Sequence, residues 1–180
     1  RANNRVVGAS VERGQVNFKA SSELGVIGPD RCVTGTGVII NQPDGAVGPA
    51  NLNTGNTYYG LYLTDTIDVT PRLSITAGGR FNLAQINLAD QLGAALNGAH
   101  QFTRFNPVIG ATYKITPDVG AYAGYSEANR APTPAELACA DPARPCLLDN
   151  FLVSDPRLKQ VVARTYEAGV RGTIDRGPKL

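Results

Sequence analysis

Residues 73–83 read LSITAGGRFNL, and this stretch decides the fold class. Its odd positions, from Leu73 to Leu83, are apolar or small, whereas its even positions include Thr76, Arg80 and Asn82. Because successive side chains of a strand point to opposite faces, the alternation predicts a strand with one apolar face and one polar face. The same pattern recurs in residues 59–69, 105–115, 119–125 and 166–174. The chain is therefore predicted to be all-β.

The first segment shows the alternation in two phases. Apolar residues occupy odd positions in residues 7–11 and even positions in residues 16–20. The change near Arg13 and Gly14 predicts a β-bulge or a tight turn, and we interpret it as a bulge within one long strand, since a bulge shifts the two faces by one residue. The expected total is six antiparallel strands.

The connections between these strands alternate in length. Residues 70–72 and 116–118 each contain a proline and predict tight turns. The other connections are long, at about residues 27–56, 86–101 and 129–162. Strands of about ten residues with short turns at one end and long loops at the other are typical of a transmembrane β-barrel with extracellular loops.

Composition and charge restrict the function classes. Lys and Arg number 17 against 15 Asp and Glu, a balance that does not indicate a nucleic-acid partner. No apolar run is long enough for a transmembrane helix or forms a signal peptide. Met is absent, so we expect a fragment or a processed product. A soluble antiparallel sandwich would also alternate, and that alternative stays open.

Six stretches within residues 58–172 resemble, in order, the motifs of TonB-dependent outer-membrane receptors. They are Tyr59–Thr66 (YGLYLTDT), Ala77–Asn82 (AGGRFN), Phe105–Tyr113 (FNPVIGATY), Ala121–Glu127 followed by Arg130–Thr133 (AYAGYSE and RAPT), Asp155–Lys159 (DPRLK) and Thr165–Gly172 (TYEAGVRG). The chain departs from the family pattern at Asn129, where an aromatic residue is usual, and at Gln160–Val161, where the pattern has Pro–Glu. It ends at Leu180 and not at the usual aromatic residue.

The resemblance implies a fold and a function. Residues 1–180 would be part of a receptor barrel, about six strands of a larger antiparallel barrel of about 22 strands, without the plug domain and TonB box. The receptor would lie in the cell outer membrane and take up a scarce solute, most often an iron–siderophore complex, with energy from the TonB complex. Its partners would be that complex, the ferric siderophore and outer-membrane lipid. A passive porin-like barrel is the alternative within the membrane class.

Candidate site residues are few, and none is catalytic. The single histidine, His100, has no nucleophile or base at useful spacing, so we expect neither an enzyme nor a cofactor. Cys139 and Cys146 enclose six residues of the longest loop, where a disulfide is favoured over a metal pair because no His lies nearby. Cys32 either pairs outside this segment or stays free.

Ligand capture is assigned to the loops and the barrel interior. The long loops and the polar inner face offer as candidate ligand contacts Arg80, Tyr122, Arg130 and Glu136. The long connection at residues 129–162, at the extracellular mouth of the predicted barrel, also contains the charged residues Arg144, Asp149 and Asp155. The alternation further predicts that lipid contacts Leu73, Ile75, Phe81, Ile109, Tyr113 and Ile174, and that the interior receives Arg80, Lys114 and Arg171.

Overall fold

The computed structural model describes residues 3–41, 48–138 and 158–173. Its elements are β1 (Asn3–Ala20), β2 (Glu23–Ile27), β3 (Val33–Ile39), β4 (Ala50–Asp68), β5 (Leu73–Asp90), β6 (Gly98–Lys114), β7 (Val119–Arg130), α1 (Pro134–Ala138) and β8 (Val161–Gly172). Within these residues, no helix is long and apolar enough to cross a membrane.

Six of the strands form one antiparallel sheet in the order β1-β4-β5-β6-β7-β8, and β2 pairs with β3 in a separate hairpin. The sheet is not closed in this segment, and the described strands do not build a two-sheet sandwich. This arrangement confirms the predicted all-β segment of a larger barrel. The open edges are consistent with further strands, because a bilayer does not tolerate unpaired strand edges.

The two predicted tight turns are confirmed. Residues 70–72 connect β4 to β5, and residues 116–118 connect β6 to β7. In each turn a threonine hydroxyl accepts a hydrogen bond from the backbone N–H that starts the next strand: Leu73 N donates to Thr70 Oγ1 at 2.9 Å, and Val119 N donates to Thr116 Oγ1 at 3.0 Å. The threonine hydroxyl therefore closes each turn by a side-chain hydrogen bond to the backbone.

Two predicted connections are shorter than expected. The connection placed at residues 86–101 comprises only residues 91–97, because β5 runs to Asp90 and β6 begins at Gly98. Within the connection placed at 27–56, the hairpin of β2 and β3 occupies part of the length, and β4 already begins at Ala50. The strands are longer than the roughly ten residues that a bilayer requires, so their outer ends extend beyond it.

The predicted bulge in β1 is wrong. β1 is one strand, but its register with β4 runs without a shift from Asn3 opposite Ile67 to Ala20 opposite Ala50. The apolar side chains change face because the environment of the strand changes along its length. Even-numbered residues of β5 lie on one face along the whole strand. This face is polar at Arg80 and Asn82 and becomes apolar near the outer end, at Ala84 and Ile86.

The register separates the two faces of the sheet as predicted. On one face of adjacent strands lie Leu61, Phe81 and Phe105, which are paired across β4, β5 and β6 and are all exposed. The same face carries the predicted lipid contacts Leu73, Ile75, Phe81, Ile109 and Tyr113, whereas the opposite face carries Arg80, Lys114 and Arg171. Ile174 lies outside the described residues.

An ion pair between β1 and β4 lies on the apolar face. Asp65 interrupts the apolar alternation of β4, and Arg5, directly opposite on β1, places Nη2 at 2.9 Å from its Oδ2. The pair compensates both charges, because an unpaired charge in contact with hydrocarbon is costly.

Candidate functional site

The outer end of the inner face carries an apolar cluster, which we call the mouth cluster. Its buried members come from β4, β5, the connection between β5 and β6, and α1, and they are Ala50, Leu52, Ile86, Leu88, Leu96 and Leu137. Phe102 and the alanines at 131, 135 and 138 pack against it. Above the bilayer, water lies outside the barrel wall, so apolar side chains are stabilised on the inside, where the connection and α1 cover them.

Helix α1 begins with a complete set of N-terminal signals. Thr133 is the N-cap: its Oγ1 accepts a hydrogen bond from Glu136 N at 3.3 Å, and its backbone N donates to Glu136 Oε2 at 2.6 Å. Pro134 occupies the first helical position, where its missing N–H has no cost. This reciprocal capping box orients the short helix, and burial of Leu137 attaches it to the mouth cluster.

Arg130 and Glu136, both predicted ligand contacts, pair with each other. Arg130 Nη1 lies 3.2 Å from Glu136 Oε2, and Nη2 donates to Oε1 at 3.3 Å. The Arg130 guanidinium and then the Thr133 N–H lower the pKa of Glu136 from 4.5 to about 2. Both carboxylate oxygens of Glu136 are therefore occupied, and the ion pair fixes the Arg130 side chain relative to α1.

Arg80 projects from the middle of β5 to the inner face. Its Nε donates to Asn82 Oδ1 at 2.7 Å, its Nη2 donates to Ser10 Oγ at 2.7 Å, and its guanidinium carbon lies 5.9 Å from the centre of the Tyr62 ring. A Cβ on Gly60 would lie only 2.0 Å from Arg80 Nη2, so the guanidinium occupies the space that this glycine leaves open. These hydrogen-bond partners are neutral, so the positive charge of Arg80 is held in place without a carboxylate.

An amide network connects the inner faces of β5, β6 and β7. Asn129 Oδ1 accepts hydrogen bonds from Asn82 Nδ2 at 2.8 Å and from Asn106 Nδ2 at 2.6 Å. Asn129 Nδ2 donates to Gln160 Oε1, and Gln160 Nε2 donates to the backbone carbonyl of Thr103 at 2.9 Å. Asn106 is only 6% exposed. The network therefore holds three strands and the start of β8 together through side chains.

A cavity of about 350 Å³ lies between Arg80, the amide network and Arg130. Its lining combines aromatic rings with polar and charged groups and includes Glu12, Tyr58, Arg80, Asn82, Phe102, Asn129 and Arg130. The Arg80 guanidinium, the aromatic faces and the side-chain amides can together bind an anionic or oxygen-rich solute with apolar parts, and Arg130 is shared with Glu136. Sequence reasoning identified the two arginines but missed Glu12, Tyr58 and Phe102 as lining residues.

Tyr122 lies apart from this cavity. It belongs to β7 and lies opposite Gly169 of β8. A Cβ on Gly169 would lie only 2.7–2.9 Å from atoms of the Tyr122 side chain, so the glycine leaves room for the ring. With Thr76, Glu167 and Arg171 it lines a second cavity of about 340 Å³. Of the four predicted ligand contacts, the structure thus brings Arg80 and Arg130 to one cavity, uses Glu136 to hold Arg130, and places Tyr122 elsewhere.

The cysteine and outer-loop predictions stay mostly outside the described part of the chain. Cys139, Cys146, Arg144, Asp149 and Asp155 all belong to segments for which the structure gives no placement. Cys32 is exposed in the connection between β2 and β3 and forms no disulfide with a described residue. No three described His, Cys, Asp or Glu side chains are grouped so that they could bind a metal ion.

Comparison with models of known protein families gives a match over most of the chain. A family model described as "TonB dependent receptor-like, beta-barrel" matches residues 10–177. No curated protein matches the chain.

Proposed function

The chain belongs to the TonB-dependent receptor β-barrel family, and from that premise we propose that it forms part of an outer-membrane receptor for an iron–siderophore complex. The family consists of outer-membrane receptors and transporters that interact with TonB and a small-molecule ligand, and it is not an enzyme class. The family match over residues 10–177 carries the proposal. The finer assignment to a ferric siderophore rests on the chemistry of the cavity.

The cavity lining supports an anionic, oxygen-rich ligand. Arg80 has only neutral hydrogen-bond partners, so its guanidinium can pair with a negatively charged group of a ligand, and Glu12 is the acidic residue of the same lining. Tyr58 and Phe102 offer apolar faces beside it. Ferric chelates combine a compact polar metal complex with organic parts, which matches this mixture of groups. Such solutes are scarce and too large for passive pores, so tight capture must be followed by driven release.

We assign different roles to the four candidate residues. Arg80 and Arg130 contact the ligand directly at the cavity, and Glu136 acts by holding Arg130. Tyr122 contacts the solute or the plug deeper in the barrel. We further propose that residues 1–180 are part of a barrel of about 22 strands, whose plug and TonB box lie in other parts of the receptor.

Uptake of solutes that carry a radioactive metal, iron in the chelates and haem and cobalt in cobalamin, tests the proposal. Cells lacking the receptor are complemented with the complete gene and offered ferric hydroxamate, ferric catecholate, ferric citrate, haem and cobalamin separately. We expect uptake of one ferric chelate, with binding retained and transport lost when TonB is deleted. Uptake that does not require TonB would support the porin-like alternative, and uptake of cobalamin alone would contradict the siderophore assignment.

Arg80→Gln tests the cavity itself. Removal of the guanidinium charge should weaken binding of the anionic chelate, because a charged hydrogen bond contributes about 1.5–3 kcal/mol, or roughly 10- to 150-fold in Kd. Lys114→Gln is the matched control, since Lys114 carries the same charge on the same face but does not line this cavity. Equal loss in both variants would mean that only the general charge of the interior matters.

A further inference from the structure

The pairing of β6 with β7 stops before the outer end of either strand. Their register extends only from Lys114 opposite Gly120 to Val108 opposite Ser126. In contrast, β7 and β8 remain paired up to Arg130 opposite Val161. Residues 127–130 and 161–164 therefore form a two-stranded ribbon, which we call the outer arm, that has no ladder with β6. A two-stranded ribbon alone is marginally stable, so other contacts must hold the arm against the wall.

Side chains supply those contacts. Asn129 of the arm accepts hydrogen bonds from Asn82 and Asn106 and donates to Gln160, and Gln160 donates to the Thr103 carbonyl. Glu127 adds an ion pair with Arg104 of β6. Asn129 and Gln160–Val161 depart from the family pattern, and Asn129 and Gln160 are hydrogen-bonded to each other.

The position of the arm determines the position of Arg130. Arg130 is the last residue of β7, directly after Asn129, and it lines the cavity and pairs with Glu136 of α1. We propose that Asn129 and Gln160 are positioning residues that latch the outer arm to β5 and β6 and so hold Arg130 at the ligand cavity. The ligand part of this inference rests on the function proposed above, whereas the latch itself does not.

The latch is incompletely satisfied. Asn106 Oδ1 and Arg104 Nε, both buried at the gap between β6 and the arm, have no hydrogen-bond partner in the part of the chain that the structure describes. Buried polar atoms without partners weaken the arrangement that buries them. An arm held by a few side-chain hydrogen bonds can therefore be displaced when those bonds are removed, without disruption of the continuous ladders of β1, β4, β5 and β6.

Spin-label distances in the complete receptor test the latch without any ligand. Labels are attached through a keto-bearing amino acid at Gln101 of β6 and Ala163 of β8, both exposed, so the native cysteines stay in place. We expect one narrow distance in the native receptor and a longer, broader distribution in Asn129→Ala and in Gln160→Ala. Asn87→Ala, an exposed asparagine on the outer face of β5, is the matched control and should leave the distance unchanged.

Equilibrium binding of the transported ferric chelate tests the positioning role. Asn129→Ala should raise Kd about tenfold, which corresponds to about 1.4 kcal/mol. The double variant Asn129→Ala with Gln160→Ala should have the same Kd as Asn129→Ala alone. The effects of the two substitutions are not additive, because both residues belong to one chain of hydrogen bonds. A folded barrel migrates differently on a gel before and after heating, and this difference verifies that each variant assembles. Gln160→Ala, at the start of β8, provides a milder variant if Asn129→Ala does not assemble.

The outcomes separate the inference from the proposed function. An unchanged distance in the variants overturns the latch. A longer distance with an unchanged Kd overturns the positioning role. If the native receptor binds no ferric chelate, the siderophore assignment fails, and the distance measurement still decides whether Asn129 and Gln160 hold the arm.

Discussion

An arginine scan across the apolar face should reveal where the bilayer lies. On β5 the alternating apolar stretch runs from Leu73 to Leu83, ten residue steps. At ~3.4 Å per step and a strand tilt of ~40°, these steps span ~26 Å, close to the ~25 Å apolar band of outer-membrane barrels. Leu63 on β4 pairs with Gly79 and so lies near the middle of this span. Ile75 lies only two residues from its lower end.

The expected costs follow from these depths. Leu63→Arg should destabilise the barrel by about 2–4 kcal/mol, and Ile75→Arg, nearer the interface, by about 0–1 kcal/mol. Gln85→Arg, on the same face above the apolar band, should cost almost nothing, because that position contacts water. Thr64→Arg is the matched inner-face control beside Leu63, since the interior accommodates polar side chains.

The assay is urea unfolding of the complete receptor in lipid vesicles, followed by the folded fraction on a gel without heating. The urea midpoint of Leu63→Arg should lie well below that of the native receptor. The midpoint of Ile75→Arg should lie between those of Leu63→Arg and Gln85→Arg, and Thr64→Arg should stay close to the native receptor. Equal midpoints for Leu63→Arg and Thr64→Arg would refute the assignment of faces. A larger loss for Gln85→Arg than for Leu63→Arg would refute the depth assigned to the bilayer.

Three further predictions concern the mouth. Cys139 and Cys146 should be joined in the mature protein, and mass spectrometry of non-reduced peptides should show the linked pair; free thiols at both positions would contradict it. Because the pKa of Glu136 is lowered from 4.5 to about 2, its ionised form stabilises α1 fully above pH 4.5 and progressively less as pH falls toward about 2. Hydrogen exchange of residues 131–138, corrected for intrinsic rates, should show this loss in the native receptor but not in Glu136→Gln. Deletion of residues 140–150, which spares α1, should weaken uptake without impairing barrel assembly, and unchanged uptake would exclude this loop from ligand capture.

Much of the fold could be predicted because alternation reports the environment of each face. Residues 73–83 have lipid on one side and a polar interior on the other, so their pattern gives strand, face and turn position together. The outer ends of the strands could not be read in the same way. There the wall has water outside and the mouth cluster inside, and the apolar phase reverses. The pattern of residues 16–20 therefore predicts a bulge that is absent from β1, and residues 86–90 are predicted as a connection although they belong to β5.

The candidate site could be predicted only in part, for a different reason. Arg80 was found because a charged residue on the polar face of a clear strand is conspicuous. Asn129 and Gln160 stood out only as departures from a family pattern, and their contact depends on the separation of β7 from β6 after Ser126. No local pattern encodes that separation. Glu12 and Phe102 reach the cavity through the register of β1 and β6 with their neighbours, which the sequence alone does not specify.

The reversal of polarity along the wall also explains how the segments around the candidate site are held in place above the bilayer. If the outer ends of β4 and β5 were polar inside, α1 and residues 91–97 would have no apolar surface to pack against and would move freely in water. Leu52 and Ile86, at 1% and 0% exposure, instead give these segments a core like that of a soluble domain. Arg130 is held between that core, through Glu136 of α1, and the amide network, through Asn129. The guanidinium can therefore be preorganised for an anionic ligand, although the arm that carries it has no backbone ladder to β6.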